Sequence, residues 1–344
     1  MGSIPPRLPH RCRVARPHRF LANILAIACL TGFGALAHAQ APAPLRVVTT
    51  TAMVADMVRE VGGDCVQVIA LMGPGIDPHL YRASAGDVDR LGRAELIAHN
   101  GLGLEGQLGA VLDRLGTRVA TLALAERVAN AAAERLLEGE DEYEGRPDPH
   151  LWLDAGLWSA GAAIVADTVA ALRPACRDDL LARAAAVRAQ LAALHDWAGA
   201  SLASVPAEHR HLITSHDAFR YFGRAYGLEV HGIEGISTES EASIADIRAT
   251  ADLVVATGVP AIFVESTISP RTIEAVRAAV RDRGGDVAIG GTLYGDAMGD
   301  DGAPAGTIIG MLRHNVMTIV AALGGEAAPW PAELANWAAG WGPP

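Results

Sequence analysis

Short apolar runs alternate with segments of helical period along most of this sequence. The apolar runs that we predict to be β-strands occupy residues 45–51, 66–72, 95–101 and 118–124 in a first series, and 211–215, 228–233, 261–266 and 286–291 in a second. Strands that alternate with helices are typical of parallel sheets covered on both faces. The sequence therefore predicts an α/β fold with two Rossmann-like lobes and parallel sheets.

A long helix-forming segment separates the two series. Residues 176–204 contain no Gly or Pro before Gly199 and are rich in Ala, Leu and Arg, which are strong helix formers. A helix of roughly 27 residues is about 40 Å long, so we expect a single long rigid α-helix to join the lobes and to prevent wide hinge motion. The predicted boundaries are an N-terminal lobe at 40–174, the linking helix at 175–205, a C-terminal lobe at 206–325 and a tail at 326–344.

The N-terminal residues 1–39 have the pattern of a cleavable signal peptide. Five arginines precede an apolar stretch at 20–36, and Ala37-His38-Ala39 matches a cleavage site. The apolar stretch is shorter than the roughly 20 residues of a membrane-spanning helix. We therefore expect export to the periplasm, with a lipid anchor through Cys29 as the alternative.

Charge and cysteine content exclude some functions. The formal net charge is −11, and the signal peptide carries arginines but no acids, so the exported surface repels nucleic acid. Cys65 and Cys176 are the cysteines that remain after cleavage. They could form one disulfide in an oxidising compartment, but their distance in sequence favours buried free thiols.

Two further segments have the composition of loop or tail. Residues 138–147 are acidic and turn-rich, which is typical of a solvated loop. The C-terminal tail carries Trp330, Trp337 and Trp341 among several prolines. We expect this tail to be weakly ordered or packed on the surface.

Polar side chains that can bind a metal occur in four loops. His79, His216 and Asp296 each follow a predicted strand, and His150 follows the acidic loop in a second Asp-Pro-His sequence. Ligands of doubly wound folds bind outside the carboxyl ends of the strands, so these four side chains can meet if the lobes face each other. Three imidazoles and one carboxylate suit Zn²⁺ or Mn²⁺. Glu265, at another strand end, is either a neighbour of this site or an ordinary loop carboxylate.

Long segments of the sequence resemble a known family. GPGIDPHLYRAS, PDPHLWLD, HLITSHDAFRYFGRAYGLEVHGIEGISTESEASIADI and LYGDAMGDDGAPAGTIIGMLRHNVMTIVAAL are together similar to the metal-binding solute-binding proteins of zinc and manganese ABC importers, the TroA-like family (cluster A-I). The similarity covers residues 45–324 in order. It implies two α/β lobes with one rigid linking helix, and an ion held between them by His79, His150, His216 and Asp296.

The resemblance also implies a function and partners. It predicts a monomeric periplasmic receptor, not an enzyme, that delivers its ion to an inner-membrane permease and the ATPase subunit of that permease. No G-x-x-x-x-G-K-[ST] nucleotide motif occurs in the sequence, so the energy for transport would come from the partners.

The identity of the metal is left open between zinc and manganese. Manganese-specific members of the family tend to carry glutamate at the position of His216, and zinc-dedicated members often have a histidine-rich loop where this chain has the acidic residues 138–147. Imidazole donors and the affinity order of divalent ions favour Zn²⁺, with Mn²⁺ as the alternative.

Two other functions compete with this interpretation. A metallohydrolase would need an open coordination position and a general base, and the sequence contains no H-E-x-x-H motif. A siderophore or haem receptor with the same architecture would need a cleft lined by aromatic or arginine side chains instead of converging histidines.

Overall fold

The computed structural model describes residues 43–139, 143 and 145–341. The predicted signal peptide, its cleavage site and Cys29 lie outside the described residues, as do residues 140–142 and 144 of the acidic loop 138–147.

The first half of the chain contains a four-stranded parallel sheet with strand order β2-β1-β3-β4. Its strands are β1 Leu45–Thr49, β2 Val66–Ala70, β3 Leu96–His99 and β4 Ala120–Ala123. Its helices are α1 Ala52–Gly62, α2 Ala85–Gly92, α3 Gly109–Gly116, α4 Leu124–Ala131, α5 Ala155–Trp158 and α6 Ala160–Leu172. Successive residues of a strand point to opposite faces, and Val47 and Val48 accordingly enter two different buried clusters. Both faces of the sheet are therefore covered, as the apolar runs predict.

The linking helix α7, Arg177–Leu202, has 26 residues and is about 39 Å long. It packs on α1 and α6 of the first half and on a helix of the second half, α11 Ile308–Ala322. One hydrophobic cluster continues through both halves and includes Leu180, Val187 and Leu194 of α7. The prediction of a single long helix is confirmed, whereas the exact lobe boundaries stay a prediction.

The second half contains two parallel strand pairs. Strand β5 His211–His216 pairs with β6 Glu229–Glu234, and β7 Ala261–Glu265 pairs with β8 Ala288–Leu293. The pairs lie side by side through β5 and β7. The remaining helices are α8 Arg220–Tyr226, α9 Ile244–Thr257, α10 Arg271–Asp282 and α12 Ala335–Ala339. The α/β fold class is thus confirmed in both halves.

The expectation of free thiols at Cys65 and Cys176 is wrong. The two residues form a disulfide, with their Cα atoms 6.3 Å apart across a sequence separation of 111. Cys65 ends the turn that follows α1, and Cys176 lies directly before α7. Because α1 packs on α7, distance along the sequence does not translate into distance in space.

The tail folds onto the surface of the linking helix. Trp330 packs edge-on against Trp197 of α7, with ring centroids 4.8 Å apart. The indole N–H of Trp197 donates to the carbonyl of Ala328 at 2.9 Å, and Leu334 is fully buried. Of the two expectations for the tail, surface packing is the one that the structure supports.

One apolar stretch among the described residues, Ala155–Leu172, is long and apolar enough to cross a membrane by length and composition alone. It comprises α5 and α6, and α6 packs against α1, α4 and α7. These contacts identify it as a core helix of the α/β fold.

Candidate metal centre

The repeated Asp-Pro-His sequence is a local device that holds a histidine. The backbone N–H of His79 donates to Oδ1 of Asp77 at 2.8 Å, and the backbone N–H of His150 donates to Oδ1 of Asp148 at 2.9 Å. Asp side chains commonly bond the backbone two residues later in this way, and the intervening proline has a restricted φ. The motif therefore fixes the direction in which each imidazole leaves the loop.

The other two candidates follow strands of the second half. His216 is the last residue of β5, and its backbone N–H donates to Oε1 of Glu265, the last residue of β7, at 2.8 Å. Asp296 lies in the loop after β8. Beside it, the indole N–H of Trp152 donates to the carbonyl of Gly295 at 2.9 Å. This bond ties the first half of the chain to the loop that carries Asp296.

All four side chains converge, two from each half of the chain. Their donor atoms lie within 4.8 Å of one another, and all four residues are buried. Oδ2 of Asp296 is 3.3 Å from Nε2 of both His79 and His216, and Oδ1 is 3.1 Å from Nε2 of His150. The site is therefore built around one shared carboxylate.

The distances between the facing atoms are those expected between the ligands of one metal ion. Among the described residues, the Nε2 atoms of His79, His150 and His216 and both oxygens of Asp296 have no partner in hydrogen-bond geometry. Donors that bind one ion tetrahedrally at about 2.0–2.1 Å lie roughly 3.3 Å apart. A cation between these groups would satisfy buried polar atoms that are otherwise costly.

A supporting carboxylate orients two of the three imidazoles. Oδ1 of Asp148 is hydrogen-bonded to Nδ1 of His150 at 2.8 Å, and Oε2 of Glu265 makes an ion-pair contact with Nδ1 of His216 at 2.8 Å, outside hydrogen-bond geometry. In the neutral ring, which is the form that binds a metal, such a partner holds the proton on Nδ1, leaves Nε2 free to coordinate and makes the imidazole a stronger ligand. The expectation that Glu265 neighbours the site is confirmed.

Hydrogen bonds between the two halves flank His79. Thr238 donates its hydroxyl to Oδ2 of Asp77 at 2.6 Å, and the side-chain amide of Gln107 donates to Oε1 of Glu239 at 3.0 Å. A cavity of about 370 Å³ borders His79 and is lined by Gln107 and Glu239 among others. Of the four candidate ligands, His79 is the one that lines this cavity among the described residues.

Comparison with known proteins decides the family. The family model of the periplasmic zinc-uptake complex component A, ZnuA, matches residues 47–322. This chain belongs to the ZnuA family. Membership identifies it as a binding component of metal transport and not as an enzyme, and neither the hydrolase nor the siderophore or haem alternative gains support.

Individual ZnuA-family relatives match over nearly their whole length. The zinc-binding protein TroA of Treponema pallidum is 44% identical over 309 residues, which are 89% of this chain and 98% of TroA. The manganese-binding lipoprotein MntA of Bacillus subtilis is 38% identical over 303 residues, which are 88% of this chain and 97% of MntA. The solved structure of T. pallidum TroA superposes with a TM-score of 0.78 and covers 81% of this chain and 99% of its own.

The ion-free site of this ZnuA-family protein is set up to hold protons. Burial alone would lower the pKa of His150, but the charges of Asp296 and Asp148 outweigh it and raise that pKa to about 9. Burial would also lower the pKa of His216, but the charges of Glu265 and Asp296 outweigh burial and raise that pKa well above its usual value. Burial would raise the pKa of Asp296, yet His216 and His150 hold it well below its usual range. A bound dication would take the place of these protons.

Sequence reasoning missed three residues that position the site. Asp148 and Asp77 could have been found from the sequence, because each is the first residue of an Asp-Pro-His sequence. Thr238 carried no signal, because its contact with Asp77 spans a sequence separation of 161.

Proposed function

We propose that this protein captures a divalent metal ion between its two halves and delivers it to the permease of an ABC importer. The ligands are His79, His150, His216 and Asp296. One observation carries the proposal: three imidazole Nε2 atoms face a single buried carboxylate at 3.1–3.3 Å without hydrogen-bond geometry. Four protein donors leave no open position for a reactive water, which favours binding over hydrolysis.

Zn²⁺ is the proposed cargo, and Mn²⁺ is the alternative. Three imidazole nitrogens favour zinc, which binds such donors more strongly than manganese does. The relatives divide between the two metals: TroA is named a zinc-binding protein and MntA a manganese-binding one. The higher identity to TroA, 44% against 38%, supports zinc.

The proposed partners are an inner-membrane permease and its ATPase subunit, and the receptor works as a monomer in the periplasm. Export through cleavage after Ala39 is the proposed route, with a lipid anchor at Cys29 as the alternative. Release of the ion would require the halves to separate by a small distance. That movement breaks two ligand bonds and the Thr238–Asp77 hydrogen bond, and the permease would provide the force.

Metal analysis of the mature chain tests this function. We expect one zinc ion per chain. We expect Asp296→Ala and His150→Ala each to weaken binding about tenfold or more, because Asp296 is the carboxylate that faces all three imidazoles and His150 is one of those imidazoles. The matched control is His314→Gln, since the His314 ring contacts the backbone carbonyl of Thr292 at 2.9 Å and the ring of Tyr294, and is not one of the proposed ligands. Unchanged zinc and manganese affinity in both ligand variants would rule out this ligand set.

A further inference from the structure

A second group of metal-binding side chains lies at the opposite end of β5. His211 begins this strand and His216 ends it. His211 pairs with Glu229 of β6, and Ile213 pairs with His231. Paired residues of a parallel ladder share a face, as do residues two apart, so His211, Glu229 and His231 project from the same side of the strand pair.

Glu229 offers one carboxylate oxygen to each imidazole. Its Oε2 is 3.5 Å from Nδ1 of His211, and its Oε1 is 3.3 Å from Nε2 of His231. The two rings stack with centroids 5.8 Å apart and planes 25° from parallel. All three donor atoms lie within 4.8 Å of one another, so the separations resemble those of the central site.

The two facing ring nitrogens have no hydrogen-bond partner within the part of the chain that the structure describes, and both are shielded from solvent. The histidine side chains are 21% and 26% exposed, whereas that of Glu229 is 65% exposed. Shielded nitrogen without a partner is unfavourable.

We propose that His211, Glu229 and His231 form a second metal site that takes a borderline divalent cation such as Zn²⁺. Two imidazoles and one carboxylate provide three ligands, and water fills the remaining position. With one ligand fewer and a solvent-exposed carboxylate, this site binds more weakly than the central one. It is independent of the central site, because five residues of strand place it roughly 16 Å from His216.

The surroundings favour a cation. A cavity of about 520 Å³ borders His231, and its lining includes the acidic side chains of Glu234, Glu241 and Asp246. A concave surface of one charge sign raises the local concentration of counter-ions. His231 therefore borders a concave acidic surface that attracts divalent cations.

Stoichiometric titration of the mature chain with zinc tests the second site. Wild-type protein that already holds one zinc ion is titrated with Zn²⁺ up to about 100 μM by calorimetry, and bound zinc is measured after equilibrium dialysis. We expect a second equivalent. The double variant His211→Gln/His231→Gln should bind that equivalent about tenfold or more weakly and keep the first unchanged, and His314→Gln should keep both.

Three results would overturn the second site: a wild-type stoichiometry of one, a second equivalent that persists in the double variant, or its loss in His314→Gln as well. Unfolding midpoints of the ion-free proteins identify a folding defect; in that event the single variants His211→Gln and His231→Gln replace the double one. Failure of the proposed central site can be told apart from failure of the second site. It would remove the first zinc equivalent and leave the His211, Glu229 and His231 site intact.

Discussion

Glu265 holds His216 through two contacts, one to the backbone and one to the ring. Oε1 accepts the backbone N–H at 2.8 Å, and Oε2 lies 2.8 Å from Nδ1. Asp148 makes the same two contacts with His150 through one oxygen. Each of these imidazoles thus has its own carboxylate, besides the shared Asp296 that faces Nε2.

This relationship predicts that Glu265→Gln weakens metal binding without unfolding the protein. The glutamine keeps an acceptor for the backbone N–H but loses the charge that orients the ring and strengthens it as a ligand. Supporting partners of this kind contribute about 10–100-fold to metal affinity. Competitive zinc titration measures the change, and Glu274→Gln, at an exposed position of α10, serves as the control. Equal affinities of Glu265→Gln and wild type would show that the ring is held by packing alone.

Metal binding should release protons at neutral pH. The ion-free protein holds His150 with a pKa of about 9 and His216 with a pKa well above its usual value, and a protonated imidazole cannot bind a metal. Affinity should therefore keep rising with pH up to about 9, beyond the plateau that an ordinary histidine pKa of about 6.5 would give. Calorimetry at pH 7.5 in buffers of different ionisation enthalpy measures the protons released. A binding enthalpy that is independent of the buffer would contradict this expectation.

The fold was predictable from sequence because its signals are local. Apolar runs bounded by turn residues marked each of the eight strands in the described part of the chain, and the absence of Gly and Pro marked most of α7. The ligand positions came from family resemblance together with their location at strand ends. The meeting of His79 and Asp296 itself depends on how the two halves pack, which strand and helix periodicity does not encode.

The error at the cysteines and the omission of Thr238 both concern contacts between distant parts of the chain. Cys65 and Cys176 were judged by sequence separation, yet the packing of α1 on α7 brings them together. Thr238 gave no signal for its bond to Asp77, since a threonine in a polar loop has many possible partners. Helix and strand propensities do not predict which residues distant in sequence come into contact.

The Thr238–Asp77 hydrogen bond should slow the release of the ion. It joins the loop of His79 to the second half of the chain at 2.6 Å, so Thr238→Val, which keeps the side-chain shape, should raise the dissociation rate several-fold. Stopped-flow mixing of the loaded protein with a chelator measures this rate. Thr257→Val is the control, because its hydroxyl bonds only within α9, to the carbonyls of Leu253 and Val254. If both variants release metal at the wild-type rate, the hydrogen bond has no part in retention.

The disulfide should stabilise the fold with little effect on metal affinity. It closes a loop with a sequence separation of 111, and disulfides contribute typically about 2–4 kcal/mol. The Cys65→Ser/Cys176→Ser variant should lose about this much free energy of unfolding, measured by denaturant titration of ion-free protein under oxidising conditions. Wild type with a reductant is the matched comparison. Identical unfolding curves for wild type and variant would contradict a stabilising role.

Asp56 connects the two halves at a position remote from the metal site. This partly buried residue of α1 accepts the backbone N–H of Ile308, the first residue of α11, at 3.0 Å. Burial raises the pKa of Asp56 to about 7; the Ile308 hydrogen bond and Arg59 lower it, and Glu60 raises it further. The folded protein thus retains a proton on Asp56 at pH values where the unfolded chain has lost it.

The contribution of Asp56 to stability should therefore be complete below about pH 4 and decline as pH rises through 7. Asp56→Asn keeps an acceptor for Ile308 but has no charge to bury. We expect the excess of the variant over wild type in the free energy of unfolding to be about 1–2 kcal/mol larger at pH 8 than at pH 5, allowing for partial exposure. Denaturant unfolding of both ion-free proteins at the two pH values measures the difference. A constant difference across this range would mean that Asp56 is ionised in the folded protein throughout.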